Sequence, residues 1–222
     1  MLRIIIFLLF SLFIYTGCSV KYQNVDNSIN NSQKLDEKIS LKKERDLITA
    51  NNIILSLKSK CESGDNETCN DIGVVFENMQ DYKNAFLYYK RACDSGVEHS
   101  CANLGMLYEK GLGVSKDPQK TIQIYTQSCN NSGALSCYNL ANVYRKGEIV
   151  AQDYKAALNA YINACELQDM ASCANIGSMY ELGLGVQKDE VKAYGIYRVA
   201  CFRGFNKSCS HMKRLEKKLK VD

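Results

Sequence analysis

The chain has 222 residues, of which 46% are hydrophobic and 23% are charged, and its formal net charge is +4. This composition is globular and excludes a disordered chain, while the single proline excludes collagen-like and proline-rich classes. The small net charge gives no reason to expect nucleic-acid binding. The eleven cysteines are unusual, because cytosolic proteins rarely carry so many unless they bind metal.

Residues 1–17 have the features of an export signal. A positive charge precedes an apolar run at 4–13, which is too short to span a membrane. The string YTGC at 15–18 resembles a bacterial lipobox, which implies lipidation of Cys18. With Ser19 next, the resemblance implies an outer-membrane lipoprotein facing the periplasm. A plain signal peptide with secretion, or an uncleaved anchor, is the alternative.

Residues 18–43 are predicted to contain the lipidated cysteine and a flexible tether. The segment is rich in polar residues and its apolar residues occur singly, so it cannot bury a core. The folded domain is expected to span residues 44–222.

The ten remaining cysteines form five pairs with the spacing C-x7-C, and successive pairs start 32, 36, 36 and 36 residues apart. A fixed period in this range predicts a solenoid. The pairs are Cys61–Cys69, Cys93–Cys101, Cys129–Cys137, Cys165–Cys173 and Cys201–Cys209. The predicted repeats are 61–92, 93–128, 129–164 and 165–200, followed by a C-terminal cap at 201–222.

Each repeat is predicted to be a helix, a turn and a second helix, which gives an all-α, α/α superhelical solenoid. An aspartate column precedes good helix formers and predicts N-caps at Asp81, Asp117, Asp153 and Asp189. Gly111 and Gly183 resemble helix stops. The first repeat lacks four residues, so its inner turn is expected to be tighter.

The cysteine spacing indicates disulfides between helices. Residues eight apart on one helix lie about 12 Å apart, whereas the Cα atoms of a disulfide lie about 4.4–6.8 Å apart. The first cysteine should therefore end one helix and the second should begin the next. Zinc sites usually pair cysteines two to four residues apart, so we predict no metal and no cofactor.

The pattern A-x-L-G-x-x-Y-x-x-G-x-G-V, with a later aspartate and tyrosine, occurs at 102–125 and 174–197. It resembles the Sel-one-like repeat, and C-x7-C in every unit is similar to the Helicobacter cysteine-rich protein family. The resemblance implies an α/α superhelix with a concave face. Members of that family have been classed as penicillin-binding proteins or weak β-lactamases, so the resemblance also implies an enzymatic alternative.

We predict a binding scaffold, because helical repeats carry no chemistry of their own. Ser40-Leu41-Lys42-Lys43 and Ser210-His211-Met212-Lys213 match the S-x-x-K pattern of serine β-lactamases by letters, but S-D-N and K-T-G are absent. The catalytic residues are therefore unknown, and we leave open whether the protein is an enzyme. A purely structural envelope protein is a third alternative. The basic stretch 213–220 is predicted to cap the solenoid, with a contact to anionic polymers or lipid as the alternative.

Positions that vary between repeats are taken to be free of the fold's requirements, and they are predicted to bind the partner. Each first helix has three such positions: a central one, one four residues before it and one three residues after it. These spacings place all three on one stripe of the helix. They are expected to line a concave groove that binds a protein or peptide from the envelope or host. Alternative ligands are β-lactam or peptidoglycan fragments. The alternative interpretation is that the stripe is merely solvated surface. The residues are Asn70, Val74, Glu77, Met106, Glu109, Tyr138, Asn142, Arg145, Ser178 and Glu181.

Overall fold

The computed structural model describes residue 35 and residues 37–220, and the chain divides into two units between Asn52 and Ile53. In the first unit residues 37–52 are helical and almost wholly exposed. The helix includes 37–43, which the sequence analysis assigns to the tether; these residues include lysine, leucine and glutamate, which favour helix even without burial. The predicted signal 1–17 and Cys18 lie outside the described residues.

The described part of the second unit, 53–220, consists of helices joined by turns and has no strand. Neighbours in the chain pack against each other, as expected of a helical solenoid. The helices are α1 53–62, α2 Asn66–Asn78, α3 Tyr82–Asp94, α4 Glu98–Lys110, α5 Pro118–Asn130, α6 Ala134–Lys146, α7 Tyr154–Glu166, α8 Met170–Leu182, α9 Glu190–Phe202 and α10 Asn206–Leu219. The all-α solenoid prediction is confirmed.

The helix ends follow from capping residues in the sequence. Each aspartate of the predicted column is an N-cap, and its side chain accepts a hydrogen bond from a backbone N–H in the first turn of α3, α5, α7 or α9. Pro118 begins α5, where the missing N–H costs no helical bond. Gly111 and Gly183 end α4 and α8 in the left-handed conformation, which glycine adopts without strain.

Two kinds of turn alternate along the chain. The inner turn of the first repeat, 79–81, has three residues, whereas the inner turns 111–117, 147–153 and 183–189 have seven. The predicted tighter first turn is therefore present. The other turns have three residues each, and a disulfide spans each of them. All five cysteine pairs are bonded, with Cα atoms 4.6–4.9 Å apart. Each disulfide thus joins the end of one helix to the beginning of the next.

The core consists of small clusters repeated along the solenoid. The largest wholly buried side chains are four tyrosines at equivalent positions of the repeats, Tyr89, Tyr125, Tyr161 and Tyr197. Among the described residues no helix is both long and apolar enough to cross a membrane.

Candidate functional site

We define the variable stripe as the positions one, five and eight residues after the second cysteine of each pair. All ten predicted binding residues lie on it, on helices α2, α4, α6 and α8. Nine are half-buried, and Val74 is exposed at 38%. The structure therefore brings these residues onto equivalent helices, and their location on a concave groove stays a prediction.

Three glutamates of the stripe accept hydrogen bonds from the buried tyrosines. Each bond joins the first helix of a repeat to its second helix, because the phenol reaches back through the core to the eight-residue position. The bonds run from Tyr89 to Glu77 Oε2 (2.6 Å), from Tyr125 to Glu109 Oε2 (3.2 Å) and from Tyr197 to Glu181 Oε2 (3.2 Å). These hydrogen bonds from the core therefore orient the stripe carboxylates.

Burial and the neighbouring carboxylates keep these phenols protonated. Burial, together with the adjacent carboxylate, raises the pKa of Tyr89 and of Tyr125 far above the ordinary value. The same causes, led by burial, raise the pKa of Tyr197 to about 12. At neutral pH each phenol is a hydrogen-bond donor and each glutamate is its acceptor.

A glycine makes room for the tyrosine ring in these repeats. A Cβ atom at Gly105 would lie 2.3 Å from Cε1 of Tyr125, and equivalent close approaches occur at Gly73 and Gly177. These distances are shorter than any real Cβ contact, so the ring occupies the space that a side chain would take. The Leu-Gly-like pair in the sequence pattern therefore reflects packing of the buried tyrosine.

The third repeat solves the same packing problem with different residues. It has Ala141 at the glycine position and Arg145 at the glutamate position. The hydroxyl of Tyr161 donates to Asn142 Oδ1 (2.7 Å) and accepts from Nε of Arg145 (3.0 Å). Burial raises the pKa of Tyr161, and the hydrogen bond from Arg145 opposes that shift. Here a cation stands where the other repeats have a carboxylate.

These bonds correct one premise of the sequence analysis, that positions varying between repeats are free of the fold's requirements. On that premise, replacing Tyr138, Asn142 and Arg145 together would leave the melting temperature nearly unchanged. Removing both polar partners would leave the buried hydroxyl of Tyr161 unpaired, which costs about 1–3 kcal/mol. The premise is therefore wrong for the eight-residue position.

Neighbouring first helices also contact each other through stripe residues. Asn70 on α2 accepts hydrogen bonds from Ser100 Oγ (2.9 Å) and Asn103 Nδ2 (3.5 Å) on α4. Helices α4 and α6 also pack directly against each other. The first helices of these successive repeats therefore adjoin.

Helix α10 continues the stripe, a feature that the sequence analysis missed when it assigned this segment to a cap. Counting five and eight residues from Cys209 gives Arg214 and Lys217. Nη2 of Arg214 lies 2.6 Å from Oε1 of Glu181 on α8. The same counting rule, applied to the last cysteine pair, was the signal in the sequence.

A separate cavity of about 270 Å³ lies between α3, α4 and α5 and shares no residue with the stripe. Lys90, Asp94, Glu98 and Lys120 contribute charges of both signs to its lining. Among the described residues no group of histidine, cysteine or acidic side chains is arranged to hold a metal ion. The hydroxyl of Ser210, in one of the S-x-x-K matches, is exposed and donates to the Lys207 carbonyl oxygen.

The helical repeats, their disulfides and the tyrosine-supported stripe define an α/α repeat protein. The Sel1 repeat family, the Sel-one-like repeat of the sequence analysis, matches residues 79–97, 99–132, 134–169 and 171–204, more than half of the chain. The chain belongs to this family. No curated protein matches it.

Three solved structures are similar to this chain. A Sel1 repeat protein from Oxalobacter formigenes is 30% identical, with a TM-score of 0.60, over 67% of this chain and 62% of that one. A protective antigen of uropathogenic Escherichia coli with an SLR fold is 22% identical, with a TM-score of 0.55, over 72% and 43%. Helicobacter pylori cysteine-rich protein B is 29% identical, with a TM-score of 0.48, over 59% and 93%. The chain thus spans less than two thirds of the first two proteins.

Proposed function

We propose that this protein is an exported lipoprotein that binds a protein or peptide partner in the bacterial envelope. The observation that carries the binding function is the variable stripe, where different side chains occupy equivalent positions on one shared scaffold. Solenoid repeats use such continuous faces for binding, because stacked units align equivalent positions side by side. The second helices and the disulfides hold the scaffold, and the stripe differs from repeat to repeat.

The cysteine content supports the export proposal. Five disulfides need an oxidising compartment, such as the periplasm or the cell exterior, to form and persist. The N-terminal sequence supplies an export signal and a lipobox-like string that ends at Cys18. Lipidation there would attach the repeat domain to a membrane.

The binding proposal is tested by crosslinking the full chain in cells and comparing variants of exposed or half-buried apolar residues. Val74→Gln with Met106→Gln changes the stripe without adding charge. Leu87→Gln with Val191→Gln makes the matched change on exposed positions of α3 and α9. We expect the stripe variant to lose the crosslinked partner and the control to keep it. Equal crosslinking by the two variants would contradict the proposal.

The export proposal is tested by thiol counting and fractionation. The mature protein should show no alkylatable thiol before reduction and ten after it, because Cys18 is acylated and the other ten cysteines are paired. The Cys18→Ala variant should leave the membrane fraction. Free thiols in the native protein would refute the oxidising location, and an unchanged membrane fraction for the variant would refute lipidation.

A further inference from the structure

The charges of the variable stripe, extended onto α10, change in sign along the row of helices: the first two helices carry only carboxylates, and the last three carry three cations and one carboxylate. The α2 and α4 positions contribute carboxylates and no cation. The α6 and α10 positions contribute three cations, and α8 contributes one carboxylate. In chain order the charged residues are Glu77, Glu109, Arg145, Glu181, Arg214 and Lys217. One end of the stripe is therefore negative and the other end has an excess of positive charge.

Most of these charges have no opposite partner within the described residues. Glu181 is paired with Arg214. Glu77 and Glu109 bond neutral phenols, and Arg145 bonds a phenol and an amide, so their charges are oriented without being neutralised. Because side-chain hydrogen bonds hold these groups, they lose little conformational entropy when they bind an opposite charge.

Apolar side chains occupy the middle of the stripe. Met106 on α4 and Tyr138 on α6 are half-buried and lie between the negative and positive ends. Val74 adds an exposed apolar side chain beside Glu77. A ligand that follows the stripe therefore meets carboxylates, then apolar surface, then cations.

We propose that the stripe binds an extended polypeptide segment with segregated charges, a proposal that rests on the binding function above. Its lysines or arginines lie over α2 and α4, an apolar residue lies over Met106 and Tyr138, and its acidic side chains or C-terminal carboxylate lie over α6 and α10. Packed helices are about 8–10 Å apart, so the four steps from α2 to α10 span about 32–40 Å. At about 3.3 Å per residue, that distance fits about 10–12 extended residues.

The charge pattern selects against two other classes of ligand. A nucleic acid or an anionic lipid surface would place negative charge against Glu77 and Glu109 as well as against the cations. The two glutamates repel the negative charge of such a ligand at one end of the stripe. A peptide with segregated charges is attracted to the stripe at both ends. The pattern therefore favours a peptide over any uniformly anionic polymer.

The test uses the full oxidised chain and two synthetic peptides of about twelve residues, the length that fits the span. The first has three lysines, a central Leu-Phe within a neutral linker, and three glutamates. The second has the same composition with lysine and glutamate alternating. Fluorescence anisotropy should show at least about tenfold tighter binding of the segregated peptide at low salt, with the difference shrinking as salt screens the charges. Equal affinities, or no binding of either peptide, would overturn the proposal.

Charge-neutral variants locate the two ends. Glu77→Gln with Glu109→Gln keeps an oxygen acceptor for each phenol, and Arg214→Gln with Lys217→Gln removes cations from α10. Glu62→Gln with Glu166→Gln is the control on exposed residues outside the stripe. Each stripe pair should weaken the segregated peptide about tenfold, a loss of about 1.4 kcal/mol, and the control should not. Weakening by the control as well would overturn the assignment.

The two proposals can fail separately. Loss of the crosslinked partner in the Val74 and Met106 variant, together with equal affinity for both peptides, would keep the binding surface and reject the charge pattern. Retention of the partner by that variant would reject the binding surface itself.

Discussion

The second and third repeats place an equivalent buried tyrosine against side chains of opposite charge. In the second repeat the Tyr125 ring packs on Gly105 and its hydroxyl donates to Glu109. In the third repeat Ala141 occupies the glycine position, and Tyr161 bonds both Asn142 and Arg145. Both hydroxyls have polar partners, as buried polar groups require.

The difference separates what the fold requires from what it leaves open. The fold needs a polar partner for each phenol, and either a carboxylate or an amide with a guanidinium meets that need. The sign of the charge at the eight-residue position is therefore free to serve recognition. The side chain at the eight-residue position thus hydrogen-bonds a buried tyrosine of the core and also contributes a charge to the stripe.

The largest expected effect comes from filling the space beneath a tyrosine ring. Gly105→Ala should lower the free energy of unfolding by about 1–3 kcal/mol, because the new Cβ would overlap the Tyr125 ring. The control is Gly195→Ala on α9, where nothing lies within 4 Å of an added Cβ. That variant should gain about 0.5–1 kcal/mol from helix propensity. Urea unfolding measures both, and a gain at both sites would refute the ring-packing account.

Removing one polar partner of the buried tyrosine should destabilise the second repeat more than the third. Glu109→Ala leaves the Tyr125 hydroxyl without its acceptor and should cost about 1–3 kcal/mol. Arg145→Ala should cost less, because Tyr161 still donates to Asn142 at 2.7 Å. Thermal and urea unfolding of the two variants test the order. A larger loss for Arg145→Ala would show that the guanidinium is needed by the fold itself.

The smallest effect concerns the end of the solenoid, where Glu190 on α9 pairs with Lys188 and with Lys218 on α10. Hydrogen bonds from Lys218 and Lys188 lower the pKa of Glu190 to about 2. The stabilisation is therefore complete above the ordinary pKa of about 4.5 and is lost as the pH falls from there to about 2. Glu190→Gln should be less stable than the parent near neutral pH and converge with it near pH 2.

The control for this experiment is Glu166→Gln on α7, which makes the same change at an exposed residue outside the Glu190 ion pairs. A stability difference between Glu190→Gln and the parent that stays constant across the range would mean that the ion pairs do not hold α10 to α9.

The periodic features of the fold could be predicted from the sequence because each recurs in one column. The cysteine spacing places the helix ends, and the aspartate column places four N-caps that the structure contains. The missing four residues predict the short inner turn before α3. These features depend on local geometry, which repeats with the sequence.

The support of the stripe could not be predicted in the same way. Glu77 and Tyr89 are twelve residues apart, whereas Glu109 and Tyr125 are sixteen apart, because the inner turns differ in length. No single sequence spacing links the glutamates to the tyrosines, and the hydrogen bond between them depends on how two helices pack. The bonds of Tyr161 to Arg145 and Asn142 likewise depend on the position of the ring, which the sequence does not reveal.

The most direct test of the central claim exchanges the third repeat's stripe for that of the second. The variant Tyr138→Ala, Ala141→Gly, Asn142→Met and Arg145→Glu reproduces the residues at Ala102, Gly105, Met106 and Glu109. The new glutamate can accept from the Tyr161 hydroxyl, so the helical content and unfolding midpoint should stay close to those of the parent. Affinity for the segregated peptide should fall at least about tenfold, because a cation becomes an anion at the positive end. An unfolded variant, or a folded one that binds the peptide as tightly as the parent, would contradict the account.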